Sequence, residues 1–159
     1  MKKIIYALCF AVAIQGCQPE VNYKTVRQEV IVLHDDLMAN EDKLMNVKMS
    51  LDTLALTGLA KIKAQHAGYD TAAVHAQITI LTTKLDSLSN QMSKWMEHFR
   101  SDVEGKSNAE AVAYFEQEKV KVKKLDSLYK VTLSESETYL KKFDIRPDTA
   151  KHHEHSMHM

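Results

Sequence analysis

Residues 74–99 read VHAQITILTTKLDSLSNQMSKWMEHF. Large apolar residues fall at Val74, Ile78, Leu81, Leu85, Leu88, Met92, Trp95 and Phe99, in steps of four and three without a miss. That spacing is a heptad seam, one apolar stripe along a helix of about seven turns. A strand would alternate with a period of two, and this stretch does not. A lone helix of this kind cannot keep its stripe out of water, so other helices must cover it.

The rest of the chain supplies two such partners. Upstream, Val26, Val30, Leu33, Leu37, Asn40, Leu44, Val47, Leu51 and Leu54 repeat the alternation. Asn40 is the one polar member. A core asparagine fixes register at a cost in stability; a place at the seam's edge is the reading we favour. Leu59 and Ile62 fall out of phase with this stripe, which predicts a kink or register shift near Gly58. Gly68 suits a left-handed C-cap, and Asp70 suits the N-cap of the next helix. Downstream, Ser107 and Glu110 have capping-box spacing. The third stripe is Ala111, Phe115, Val122, Leu125, Tyr129, Thr132 and Tyr139 or Leu140, interrupted by Glu118. Pro147 closes the helical part.

The expected fold is all-α, an antiparallel three-helix bundle over residues 24–146. Its helices span about 24–66, 71–103 and 108–143. Short connections make sequential helices antiparallel, so residues of the first two helices face one another when their numbers sum to about 136. His34 and Met38 then lie near Trp95, His98 and Phe99. The turn at Gly105 brings Tyr114 and Phe115 to the same end. An aromatic cluster of Trp95, Phe99, Tyr114 and Phe115 is expected there, as plain core packing.

Composition agrees. The 159 residues include only four glycines and two prolines, poor material for an all-β or loop-rich fold. Twenty-one basic residues balance 21 acidic ones, so no basic excess points to nucleic acid.

The first 16 residues have the pattern of a signal peptide. Lys2 and Lys3 precede an apolar run, Ile4 to Ile14, too short to span a bilayer comfortably. The run ends in Ile14-Gln15-Gly16-Cys17, which resembles the lipobox of bacterial lipoproteins. This implies cleavage before Cys17 and its lipidation. Residues 17–23 then form a tether to membrane lipid, and the localisation is the cell envelope, at the outer membrane of a Gram-negative bacterium. Cleavage also removes Cys9, leaving one acylated cysteine and no intrachain disulfide, so helix packing must supply the stability.

No enzyme signature is present: no glycine-rich phosphate loop, nucleophile elbow or His-Glu-x-x-His. Asp35, Asp36, Glu116, Glu118 and Glu137 read as solvated helix faces. The strongest chemical signal is the tail, residues 147–159, with His152, His153, His155, Met157, His158 and Met159. Imidazole binds copper, zinc and nickel, while thioether selects Cu(I), so copper is the expected ion. A weaker internal set, His34, Met38, Met92, Met96 and His98, falls together on the level map. Methionine as a filler of helical cores is the plainer reading of it.

Three stretches carry a family resemblance. They are Glu29 to Met38 (EVIVLHDDLM), Met92 to Phe99 (MSKWMEHF) and Tyr114 to Lys121 (YFEQEKVK). In them the chain resembles a group of small helical lipoproteins from Bacteroidetes, often labelled "viral A-type inclusion protein". The resemblance implies a membrane-tethered helical protein and lends no activity. The expected function is a structural or protein-interaction module, binding a protein partner or a second copy of itself. The alternative is a metal-handling lipoprotein that captures copper through its tail.

Overall fold

The computed structural model describes residues 21–65, 68 and 70–147. Among them there is helix and no strand, in three helical regions. The first region comprises α1 (Tyr23–Met38), α2 (Glu41–Thr53), a π-helical turn (Leu54–Gly58) and α3 (Leu59–Gln65). The second is α4 (Thr71–His98) and the third α5 (Asn108–Lys141). Among the described residues, no helix is long and apolar enough to cross a membrane.

Local chemistry sets the starts. The Asn22 side chain accepts the Lys24 amide (2.9 Å) and opens α1. Asp70 accepts the amides of Ala72 and Ala73 and opens α4. At α5 the Ser107 and Glu110 side chains each satisfy the other's backbone amide, a complete capping box.

The first helix is not the single rod expected over 24–66. It breaks at Ala39 and Asn40. The Asn40 amide bonds the Leu37 carbonyl (3.0 Å), one residue short of the α-helical partner. Its side-chain amide takes the Asp36 carbonyl instead (3.1 Å). Asn40 is half-buried and turned onto its own helix, so it sits at the seam's edge. Leu37 and Leu44 on either side are fully buried, so the break does not interrupt the core.

The second discontinuity is the π turn, where the Leu59 amide reaches back five residues to the Leu54 carbonyl. One extra residue in a turn rotates everything beyond it. That rotation returns Leu59 and Ile62 to the inner side, packed against the core beside buried Leu54. Ser50, Thr53 and Thr57 each donate a hydroxyl to the carbonyl four residues earlier. Such back-bonding competes with the helical ladder and bends helices.

The second helix stops at His98, short of the expected end near 103. Phe99 is already extended (ψ 131°). Its ring stacks on Trp95 at 4.8 Å, and the next amide, Arg100, donates to the Tyr114 hydroxyl at 2.8 Å. The chain therefore leaves the helix to cover the end of the core. Gly105 takes the left-handed conformation in the following turn (φ 80°), a role expected of Gly68, which lies outside that region. The third helix ends before Pro147 acts. Asp144 adopts φ 57°, and the Ile145 amide returns to the Leu140 carbonyl (3.2 Å). This is Schellman closure with aspartate in the usual glycine place.

Contacts give the directions. Arg27 meets Ser101, His34 meets Trp95, Glu41 meets Ser89 and Lys48 approaches Asp86, so the second region runs opposite to the first. Trp95 meets Glu118 and Lys84 meets Glu135, so the third runs opposite to the second. The first and third run the same way, through Tyr23–Asn108, Glu29–Lys119 and Lys43–Glu137. All three share one apolar core, which includes every large residue quoted from Val74 to Trp95, with Phe99 packed against it.

Candidate functional site

Trp95 belongs to the expected aromatic cluster, with Phe99 as the ring that joins it to the others. Its ring stacks on Phe99, which lies 6.5 Å from Tyr114 and 6.2 Å from Phe115. Tyr23 adds a ring 6.3 Å from Phe115, and His34 lies 5.6 Å from Trp95. Offset aromatic contacts of this kind add to ordinary burial.

The cluster is not purely apolar. The Trp95 indole N–H donates to Glu118 Oε2 at 2.8 Å. Glu118 is only 5% exposed, so reading it as a solvated helix face is corrected here. Lys121 donates to its other oxygen at 2.7 Å. An indole N–H inside a core must find an acceptor, and a buried carboxylate must find donors. Glu118 answers both needs, with one oxygen inward and the other at the rim. The buried stripe of α5 runs Ala111, Phe115, Glu118, Val122, Leu125, Tyr129, Thr132, Ser136 and Leu140, with Leu133 buried beside it. Glu118 thus occupies the stripe it was expected to interrupt.

A second polar tie lies three turns away. Glu41 accepts from the Ser89 hydroxyl and from the Tyr129 hydroxyl, both at 2.6 Å. One carboxylate so links all three helical regions. Burial first, and then the neighbouring Glu41 carboxylate, hold the Tyr129 hydroxyl well above its usual pKa. Its role is a donor that does not ionise near neutral pH.

Open depressions mark the surface between the helices. A groove of about 760 Å³ between α4 and α5 is lined by Gln77, Lys130, Val131 and Tyr139 among others. Another of about 430 Å³ between α1 and α5 has Val32, Leu33, Lys119 and Lys123 in its walls. A smaller one of about 270 Å³ between α1 and α4 is lined by Ile31, His34, Trp95, Met96 and Phe99.

The residues singled out from sequence divide three ways. Cys17 and the tail ligands His152, His153, His155, Met157, His158 and Met159 lie outside the described residues. Of the internal set, His34 and Met96 share the small depression. Met92 is sealed in the core, and His98 spends Nδ1 on the Lys94 carbonyl at 2.7 Å. Among the described residues, no three His, Cys, Asp or Glu side chains converge as a metal centre. Glu118 was missed as a core residue, and Glu41 as the carboxylate that ties the helical regions together. The signal available was position: each lies one helical step from seam residues, while its charge argued for solvent.

Comparison with protein-family models, with curated proteins and with solved structures gives no match.

Proposed function

We propose that the chain is a lipid-anchored helical lipoprotein of the group its sequence resembles, folded as an antiparallel three-helix bundle. It acts as a structural or protein-interaction module in the cell envelope, at the outer membrane of a Gram-negative bacterium. Acylated Cys17 holds it to lipid, and a helix face meets a protein partner or a second copy. The observation that carries this reading is the solvent side of the first helical region. Met45, Met49 and Leu56 are all more than half exposed there, at spacings that keep them on one face. The core is closed without them, so they are available to a partner. Methionine-rich surfaces adapt to partner helices because the thioether chain is flexible.

Two measurements test it together. An alkyne fatty acid fed to cells should label the chain and co-fractionate with membranes, and Cys17→Ser should abolish both. A photo-crosslinking residue at position 49 in the anchored chain should give a discrete adduct, lost when Met45 and Leu56 are changed to Glu. Membrane association surviving Cys17→Ser ends the anchor. Uniform, unsaturable crosslinking ends the module.

The second reading is a metal-handling lipoprotein. Four histidines and two methionines among the last eight residues support it. Copper titration of the mature chain, with and without those six side chains, tests it; equal binding by both forms removes it.

A further inference from the structure

We propose that His34, Met38 and Met96 bind a soft monovalent cation, Cu(I) or Ag(I), on the seam between α1 and α4, with the face of Trp95 beside it. The site uses no residue of the tail and does not depend on the lipid anchor.

Histidine supplies the first donor. His34 Nδ1 lies 3.0 Å from Asp35 Oδ1. An ionised carboxylate can only accept, so Nδ1 carries a proton and Nε2 is the ring nitrogen left to face a metal. A carboxylate behind a histidine in this way orients the ring as a metal ligand. The ring also rests near Trp95, whose own orientation is fixed by the bond to buried Glu118.

Thioethers supply the others. Met96 lines the same depression as His34, Trp95 and Phe99. Met38 follows His34 by one helical turn and so shares its face. A methionine that merely fills a core gap is buried, as Met92 is at 2% exposure. Met38 and Met96 are 36% and 41% exposed, so neither thioether is consumed by packing.

The donor set decides which ion fits. Two thioethers and one imidazole are soft to borderline ligands, and they suit Cu(I) and its congener Ag(I). Zinc and calcium prefer further nitrogen, thiolate or oxygen donors, and none converge here among the described residues. Binding requires no electron transfer, because the ion keeps its oxidation state throughout.

The test uses the full mature chain with the tail ligands replaced: His152, His153, His155 and His158 by Ser, Met157 and Met159 by Leu. Silver nitrate is added without chloride, and emission is followed from Trp95, the chain's one tryptophan. A saturable change at one equivalent is expected, and zinc should give none. Met38→Leu with Met96→Leu conserves volume and should leave the circular dichroism unchanged, while weakening silver at least tenfold. His34→Gln should weaken it similarly. No saturable response in the tail-replaced chain assigns the metal to the tail and overturns the site. So does full-strength binding by the folded double-leucine variant.

Discussion

Two helical regions cover each other's apolar side, yet only one of them is continuous. α4 runs 28 residues from Thr71 to His98 with no departure from α geometry, and its seven buried side chains recur in steps of four and three. The region opposite reaches a similar depth through two α-helical pieces, a π turn and a third short helix. The difference teaches that burial, not hydrogen-bond regularity, is what the packing conserves. Where the apolar spacing is four, the chain stays α-helical. Where Leu54 and Leu59 are five apart, the backbone takes a π turn so that both reach the core.

Single-residue deletions break that comparison most sharply. Removing exposed Thr83 from α4 turns Val74, Ile78 and Leu81 by about 100° relative to Leu85, Leu88, Met92 and Trp95. One group must then leave the core. Three large side chains at about 1.5–3 kcal/mol each amount to most of a typical domain's stability. Denaturant melts followed by circular dichroism should find ΔThr83 largely unfolded. Leu56, 83% exposed in the π turn, is the contrasting case. Its removal shortens the step from Leu54 to Leu59 to four and allows plain α-helix with the same residues inside. ΔLeu56 should stay within about 1 kcal/mol of the parent. Equal damage from both deletions would mean that the π turn is not an accommodation of spacing.

The two carboxylates sharpen the same contrast at smaller scale. Glu118 is enclosed against α4, whereas Glu41, just beyond the Asn40 break, is partly open to solvent. Glu118→Ala leaves the Trp95 N–H in the core without an acceptor, which costs about 3 kcal/mol including lost packing. Glu118→Gln keeps an oxygen for it and should cost about 1 kcal/mol. Glu41→Ala leaves the half-buried Ser89 hydroxyl able to find water but strands the Tyr129 hydroxyl of a fully buried ring, so about 2 kcal/mol is expected. Chemical denaturation of the three variants checks the order.

How much of this was legible follows from the same residues. The stripe of α4 is all apolar, so its period could be read directly. The stripe of α5 is filled at two places by Glu118 and Ser136, both buried. A search for hydrophobicity skips those positions although the period passes through them. The early end of α4 was hidden for another reason. Phe99 continues the apolar spacing, but its place against Trp95 is reached from extended backbone, and only the Arg100–Tyr114 bond reveals that exit. The shift near Gly58 was legible because Leu59 and Ile62 are visibly out of phase. The break at Asn40 was not, since Leu37 and Leu44 stay seven apart across it. Of the candidate soft-metal site, the residues were legible as a set. Their selection was not: sequence does not say that Met92 is sealed inward or that His98 is held by its own helix.

The smallest expected effect concerns Gly58, the last residue of the π turn. Alanine in a helix is ordinarily favoured over glycine by about 1 kcal/mol. Here a Cβ would lie 2.7 Å from Leu54 Cδ1. Leu54 is fully buried, so its methyl cannot swing into water; it must push on the core or change rotamer. Such overpacking costs about 1–3 kcal/mol. The two effects oppose, and the net for Gly58→Ala should be a loss of about 1 kcal/mol. Pairing it with Leu54→Val, which removes the clashing reach at a cost of its own, should make the alanine neutral or favourable in that background. A double-mutant cycle measured by urea denaturation gives the coupling directly. Coupling near zero would show that the glycine is there for backbone freedom alone. A clear positive coupling assigns it to the close passage of Leu54 beneath the one turn where this helical region departs from α geometry to keep its leucines inside.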